Sequence, residues 1–598
     1  MKLTGGEIIV KKLTAEGVPY ILGIPGHGVL GLFDAIRKEE AAGNIKYIQV
    51  KHEQAATAIA DGYFRVKKEP LAVFASIGPG TLNLGIGLGT AYADSTAFLA
   101  LCGDTHVHMS GVGVLQELER YKDSNIIRSL EPLSKRVWRA ESARQLGRIV
   151  NNAFREMTGG RKGPCVIALP MDVQSESADL VLEPYAAEPS FSPSADAAAI
   201  EKAIALMKTA KRPVILAGGG AMNSGAGDAI VKLAEKWGAG IVTTLAAKGT
   251  VAETHPQYCF HTGSKGTEIG LRIASTADVI LALGTRFADE TTCSYRKGVA
   301  FNFPDTKLIQ VDIDSHELGK NYPVNVGIIA NAKDAAEKIL ENFGEFDVNK
   351  AYLEEIKELR EKWFAYVENN RNSASKDFTI SKLIGVMGKV LPEDTIISTS
   401  SGNTQAQLFQ EYCYKKPGCN LTTGGFSTMG WAFPAAMGAK LAAPDRPVVA
   451  LVGDGDFMMV MQELSTMAQY NIPIIVIVAD NRGWMAIKDL QIDVLGQDAA
   501  FGNDFQQDGN GYDPDFKTVA EAFHIKSYLA DSEKSFENAL KDALATTEAG
   551  KPAFIHVPVS NEYPYSGGKA FGWWDVPIPT YMEDKRKNYE NGIREETV

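Results

Sequence analysis

The residues best suited to chemistry lie in one short pattern. The β-branched run VVALV at 448–452 is followed by Gly453-Asp454-Gly455-Asp456-Phe457, a helix-length segment, an apolar run at 472–479 and the polar turn Asp480-Asn481-Arg482-Gly483. Strand, glycine turn, helix, strand and polar turn make a βαβ unit. Both turns then fall at the carboxyl ends of neighbouring parallel strands, where open α/β sheets bind ligands. Asp454 and Asn481 therefore converge. A carboxylate, an amide oxygen and the main-chain carbonyl of Gly483 are hard donors suited to Mg²⁺, leaving its other positions to phosphate oxygens and water. Gly455 lets the amides at the helix start approach a diphosphate. Gly-Asp-Gly alone is ordinary turn chemistry; the flanking elements and the Asn turn make it a candidate ligand site.

A second stretch could supply acid–base chemistry. Glu53 lies in VKHEQAA at 50–56, a polar break between the strand-like YIQ and an alanine-rich helix. Taken alone, it is a helix-start carboxylate favoured by the macrodipole. The Glu53 stretch, the loop SIGPGTLN at 76–83, the Gln116-Glu117 pair and the GDG pattern stand in the order found in the acetolactate-synthase-like family of thiamine-diphosphate enzymes. The chain resembles that family over nearly its whole length.

The resemblance implies that Glu53 faces the aminopyrimidine of thiamine diphosphate, so that the ring's amino group can act as a base. It implies Mg²⁺ held by Asp454, Asn481 and Gly483. Cofactor contacts would come from Gly402, Asn403, Thr404, Ser427, Met429, Gly453, Gly455, Asp456, Trp484 and Met485, with Met429 as an apolar wedge under the bent cofactor. Gln116 and His27 would orient the substrate, His27 also carrying protons near neutrality. Glu53 of one subunit would act on a cofactor whose metal is held by Asp454 of another, giving a homodimer or homotetramer with the active site at the interface. Gly218-Gly219-Gly220, the stretch 261–267 and Gly284-Thr285-Arg286-Phe287 match positions that touch FAD in acetolactate synthases. The same residues can simply close a doubly wound sheet, so FAD is possible but not favoured.

Two departures bear on the reaction. Acetolactate synthases usually carry a glycine pair and an alanine where this chain has Pro25-Gly26-His27-Gly28, and an acceptor-selecting tryptophan where it has Leu490. Those residues, with NRGWMAIKDLQ at 481–491 and Trp573-Trp574, look more like trihydroxycyclohexanedione hydrolase of inositol breakdown. The expected reaction is 2-oxo acid decarboxylation and carboligation. Its alternatives are hydrolytic C–C cleavage of a cyclic 1,2-diketone and a cofactor-binding pseudoenzyme. His106 and His108 would share one face if their segment were extended.

These residues need a scaffold. Short β-branched runs alternate with helical-length segments throughout, which predicts an α/β fold built on parallel sheets. At 598 residues the chain exceeds one core. Three doubly wound parallel-sheet domains are expected: a pyrimidine-binding domain at 1–180, a central domain at 198–345 and a diphosphate- and Mg²⁺-binding domain at 378–560. A linker at 181–197, a helical linker at 346–377 and a C-terminal arm at 561–598 would join or follow them. A net charge of −12 without a long Lys/Arg run argues against nucleic acid or an anionic membrane as partner, and favours a small carbonyl substrate, a 2-oxo acid or a diketone. Six scattered cysteines with no C-x-x-C pair read as reduced thiols in a cytoplasmic protein. No export signal or membrane-spanning run is apparent.

Overall fold

The computed structural model describes residues 2–118, 126–179, 192–373, 377–512, 514–561 and 567–597. Most of the linker expected at 181–197 lies outside them. Three six-stranded parallel sheets organise the chain. The first runs Lys46–Gln49, Tyr20–Gly23, Ala72–Ala75, Leu99–Asp104, Cys165–Pro170, Arg136–Arg139. The middle sheet runs Tyr258–His261, Gly240–Thr243, Pro213–Ala217, Val279–Leu283, Lys307–Asp312, Val326–Ile329. The third runs Asn420–Thr422, Ile396–Thr399, Val448–Gly453, Ile475–Asp480, Ala553–Pro558, Lys526–Leu529. Central strands such as Leu99–Asp104 and Ile475–Asp480 are buried along their whole length, because helices cover both faces of each sheet.

The first and third sheets share one strand order, whereas the middle sheet is wound differently. Each order reverses at an inner point of the sheet, opening a crevice beyond the carboxyl ends of two strands. In the first sheet that point carries residues 24–28 and 76–80, in the middle sheet 218–220 and 284–287, and in the third 400–404 and 454–457. The glycine motifs at 26–28, 78–80, 218–220, 284, 402 and 453–455 therefore stand at switch points. Two local expectations change. The third-sheet strand predicted from Ile472 begins at Ile475, beyond Pro473, whose ring cannot donate to the ladder. The His106-His108 segment is not extended but holds a 3₁₀ turn, Val107–Met109, with His108 Nδ1 3.4 Å from Asp172 Oδ2.

One face of the third domain shares a continuous core with the first domain, its other face has a second core, and the middle domain has its own. The join is a pair of helices, Glu53–Lys67 and Ala432–Ala442, whose backbones touch at two glycines. A Cβ on Gly62 would lie 2.2 Å from Ala435 O, and one on Gly438 would lie 1.9 Å from Ile59 O. Trp431 Nε1 donates to Asp61 Oδ2 at 2.9 Å, and Arg65 reaches Thr422 O at 2.7 Å. The two helices are thereby locked in register. No helix among the described residues is long and apolar enough to cross a membrane.

The helix contact makes a direct prediction. Gly438→Ala forces the helices apart and lowers stability by about 1–3 kcal/mol, read as a fall in Tm. Gly388→Ala, in the helix Ile380–Val390 with nothing within 4 Å of the new Cβ, raises stability by about 0.5–1 kcal/mol and serves as control.

Candidate active site

The first-domain crevice is assembled around the loop 76–80. Gly28 N donates to Ser76 Oγ at 3.2 Å, and a Cβ on Gly26 would sit 2.5 Å from that hydroxyl. Gly78, at φ 77°, lies against Gln116 O, and Gly80 faces Glu53 Oε1. One loop thus gathers His27, Gln116 and Glu53. His27 and Gln116 are exposed, and Gln116 adopts a left-handed φ of 68°. Glu53 is different: it opens its helix, is 7% exposed and accepts from Asn83 Nδ2 at 2.9 Å. Its approach is fixed from the third domain. Glu463, fully buried, accepts from Lys51 N at 3.1 Å, and burial pushes its carboxyl up to about 7.

In the third domain, Asp454 accepts from Gly455 N at 2.8 Å and from Gly483 N at 2.9 Å, and is 3% exposed. The GDG turn and the Asn481 turn therefore meet on one carboxylate. Burial and the neighbouring Asp480 hold Asp454 well above the usual carboxylate range. Asp480 is itself hydrogen-bonded to His556 Nε2 at 2.8 Å. Among the described residues no Lys or Arg pairs with Asp454. Adjacent buried carboxylates with a buried amide at Asn481 are a donor set that a hard divalent cation satisfies. No cluster of three or more His, Cys, Asp or Glu side chains forms a metal group among the described residues, so a cation here would also draw on the amide, main chain, phosphate and water.

The surrounding residues form a cradle. Gly402, at φ 118°, opens the helix Asn403–Glu411 with free space where a side chain would stand, leaving room for an anion at the exposed amides. Ser427 donates to Ser401 Oγ at 2.8 Å. Asp456 accepts from Ser400 Oγ and from Gly430 N, tying three turns together; burial pushes its carboxyl up to about 6. Trp484 lies over Gly455, where a Cβ would meet its ring at 2.3 Å, and Met485 is buried. Thr404 is buried beside Gly453. The Asn403 side chain donates to Asp489 at 2.6 Å. Met429 is half-buried, and its carbonyl accepts from Gln54 Nε2 at 3.4 Å, so the residue after Glu53 touches the wedge candidate within one chain.

A cavity of about 1250 Å³ runs from Ser401, Gly402 and Leu490 past Gly219, Gly220 and Gly284 to the first domain. Gly220 packs on Gly284, where a Cβ would come within 2.8 Å of its Cα; these turns close the sheet and line the cavity at once. The C-terminal arm forms a wall. Gly567 lies against the Asn403 side chain, and Trp574 Nε1 donates to Asp289 Oδ2 at 2.9 Å.

Four residues escaped the sequence reading as site elements: Asn83 as partner of Glu53, Glu463 and Asp61 as anchors of the helix Glu53–Lys67, and Asp480 beside Asp454. Asn83 and Asp480 lay in motifs already quoted. Glu463 and Asp61 do not announce these roles locally, because Lys51 and Trp431 stand hundreds of residues away from them, and the i+4 pair of Asp61 with Arg65 reads as ordinary helix-surface pairing.

The carboxylate pair predicts a metal-dependent stabilisation. In the wild type, Mg²⁺ with thiamine diphosphate raises stability by about 2.7 kcal/mol at a ligand concentration a hundredfold above Kd. Asp454→Asn is expected to abolish the Mg²⁺-dependent part of the Tm increase.

The comparisons with known proteins agree in the order of the parts. The N-terminal TPP binding domain of thiamine pyrophosphate enzymes matches residues 3–124, the central domain 200–339 and the C-terminal TPP binding domain 400–557. A probable acetolactate synthase large subunit of Methanocaldococcus jannaschii is 32% identical over 555 residues, 91% of this chain and 90% of that protein. The acetolactate synthase large subunit of Haemophilus influenzae is 30% identical, covering 93% and 95% of the two chains. Acetolactate synthase isozyme 3 large subunit of Escherichia coli is 29% identical with the same coverage. Family domains in sequence order, on three parallel sheets with relatives matched almost end to end, make this chain a member of the thiamine pyrophosphate enzyme family.

Proposed function

We propose that the protein is a thiamine-diphosphate- and Mg²⁺-dependent enzyme that decarboxylates a 2-oxo acid and joins the remaining acyl unit to a second carbonyl compound. The observation that carries this reading is Glu53: a buried carboxyl at a helix start, fixed by Asn83, one residue from the side chain that contacts Met429 O. The names of the relatives favour decarboxylation and carboligation over hydrolysis of a cyclic diketone.

When bound, thiamine diphosphate supplies a nucleophilic carbon and an electron sink for the bond next to a carbonyl. Glu53 holds the proton that couples to the aminopyrimidine ring, and Asn83 keeps its carboxyl turned to that task. Asp454, Asn481 and the Gly483 main chain would hold Mg²⁺. The amides around 402–404 and 453–456 receive the diphosphate, while Met429 braces the organic rings. Gln116 and His27, carried on the 76–80 loop, orient the substrate carbonyl, and Leu490 presents an apolar surface to the acceptor. The overall chemistry is redox-neutral, so the reaction asks no electron transfer of a flavin.

The same reading makes the working unit a dimer. Leu82 and Ile86 stand exposed on one side of the first domain, and Phe426, 48% exposed, rests against Gly89 on the same helix as Ile86. This apolar band beside the site supports its cover by a second copy of the chain.

Carbon dioxide release from pyruvate and other 2-oxo acids tests the reaction. It is expected to require thiamine diphosphate and Mg²⁺, and Glu53→Gln should lower kcat by about 10²–10⁴-fold while cofactor binding persists. Absence of release from any 2-oxo acid by cofactor-loaded protein would overturn it. Ile86→Glu is expected to shift sedimentation from dimer to monomer and to remove activity with it.

A further inference from the structure

We propose that His556 is a positioning residue for the metal site: through Asp480 it fixes the turn that carries Asn481 and Gly483. The proposal rests on the Mg²⁺ site inferred above. Asp480 ends the strand Ile475–Asp480, and His556 lies on the neighbouring strand Ala553–Pro558, opposite Val478. Side chains two apart along a strand share a face, so His556 and Asp480 project from the same side of the sheet. Their neighbours on that side, Val476, Val478 and Phe554, belong to the core shared with the first domain. An imidazole and a carboxylate, 4% and 1% exposed, therefore stand in a row otherwise filled by aliphatic and aromatic side chains. Such groups are costly to bury unless each satisfies another. Here they do, with His556 Nε2 donating to Asp480 Oδ2 at 2.8 Å. The buried Nδ1 has no partner among the described residues, which assigns the proton of the neutral ring to Nε2.

The other carboxylate oxygen acts on the turn. Asp480 Oδ1 accepts from Arg482 N at 3.0 Å, and Asp454 Oδ2 accepts from Gly483 N at 2.9 Å. Two successive amides are thus held by two carboxylates. Arg482 is kept at a left-handed φ of 60°, a conformation that persists in a non-glycine residue only where its surroundings impose it. Asn481, 6% exposed, lies between the anchoring residues. The terminal torsion of an aspartate is broad; with Oδ2 pinned by His556, Oδ1 stays on Arg482 N. The imidazole is itself braced. It meets Phe516 edge-on with centroids 5.2 Å apart, and Phe516 meets Phe457 at 5.5 Å, on the helix Asp454–Met458. His556 is therefore tied to both halves of the site, to the Asn481 turn by a hydrogen bond and to the GDG helix by ring packing. Groups placed in this way behind a metal's ligands orient them and set the affinity of the site.

The test titrates Mg²⁺ into the metal-free full chain with thiamine diphosphate present, by calorimetry, and repeats it with Mn²⁺, followed by the electron paramagnetic resonance of the unbound ion. His556→Leu, which suits the apolar row but removes the donor, should weaken both metals by about 10–100-fold. His556→Gln returns an N–H to the place of Nε2 and should recover most of that loss, which a role in packing alone would not give. Because the histidine acts through Asp480, His556→Leu added to Asp480→Ala should cost no more than about twofold beyond Asp480→Ala by itself. Should His556→Leu unfold the chain, as judged by its metal-free Tm, His556→Asn, whose amide is too short to reach Asp480, gives the same readout. Binding by the donor-less variant within about twofold of wild type, failure of His556→Gln to recover it, or full additivity with Asp480→Ala overturns the proposal while the metal site stands. Absence of Mg²⁺ binding by the wild type overturns the site itself, and the proposal with it.

Discussion

The site depends on a contact with no side chain in it. Where the helices Glu53–Lys67 and Ala432–Ala442 cross, Gly62 and Gly438 bring backbone against backbone. That approach fuses two domains into one core, and through Gln54 it brings the residue after Glu53 to the Met429 carbonyl. In a dimer with its sites at the interface, this join would set where each chain presents its Glu53 half and its Asp454 half to the partner, and misplacement of reacting groups lowers rates steeply. Close-packed glycines fix such a join better than larger interlocking side chains, which retain alternative rotamers.

Around that join the polar groups act as braces. Asp61 receives both Trp431 and Arg65, Glu463 holds the chain just before Glu53, and Asp456 connects the 400, 430 and 454 turns. Each is a buried acceptor filled by named donors, as burial of a carboxyl demands. Asp454 is the contrast: it accepts from main-chain amides and faces Asp480, itself hydrogen-bonded to His556 Nε2. Crowded buried carboxylates of this kind concentrate at ligand sites, and a divalent cation held there would relieve the crowding.

Much of this was legible in the sequence because βα units announce themselves locally. The runs at 448–452 and 472–479, the turns after them and the helix after Glu53 follow from periodicity and turn chemistry over a few residues, and the turn after 448–452 stands at a switch point. The strand start at Ile475 instead of Ile472 was misread because apolar composition was given more weight than Pro473. His106 and His108 would share a face only on an extended segment, and theirs holds a 3₁₀ turn. What could not be read was the set of long-range partners: nothing near Glu463 indicates Lys51, and nothing near Gly438 indicates Ile59. Helix-face glycines and buried carboxylates take their meaning from the surface opposite them.

The topology explains why chemistry divides among the domains as it does. The first and third sheets repeat one strand order, so their crevices are equivalent in construction, yet one is furnished with a buried carboxyl and exposed substrate-side groups and the other with carboxylates and open amides. Locked through their shared core, two copies of one crevice become complementary. The middle sheet has another winding and a separate core. It is held by polar and charged links such as Glu253 to Tyr414 N and Arg161 to Glu317, and by the arm that carries Trp574. A domain attached through such links leaves space at its seams, as the long cavity shows. The cofactor-binding halves must be rigid relative to each other, while the middle domain is free to vary at its borders.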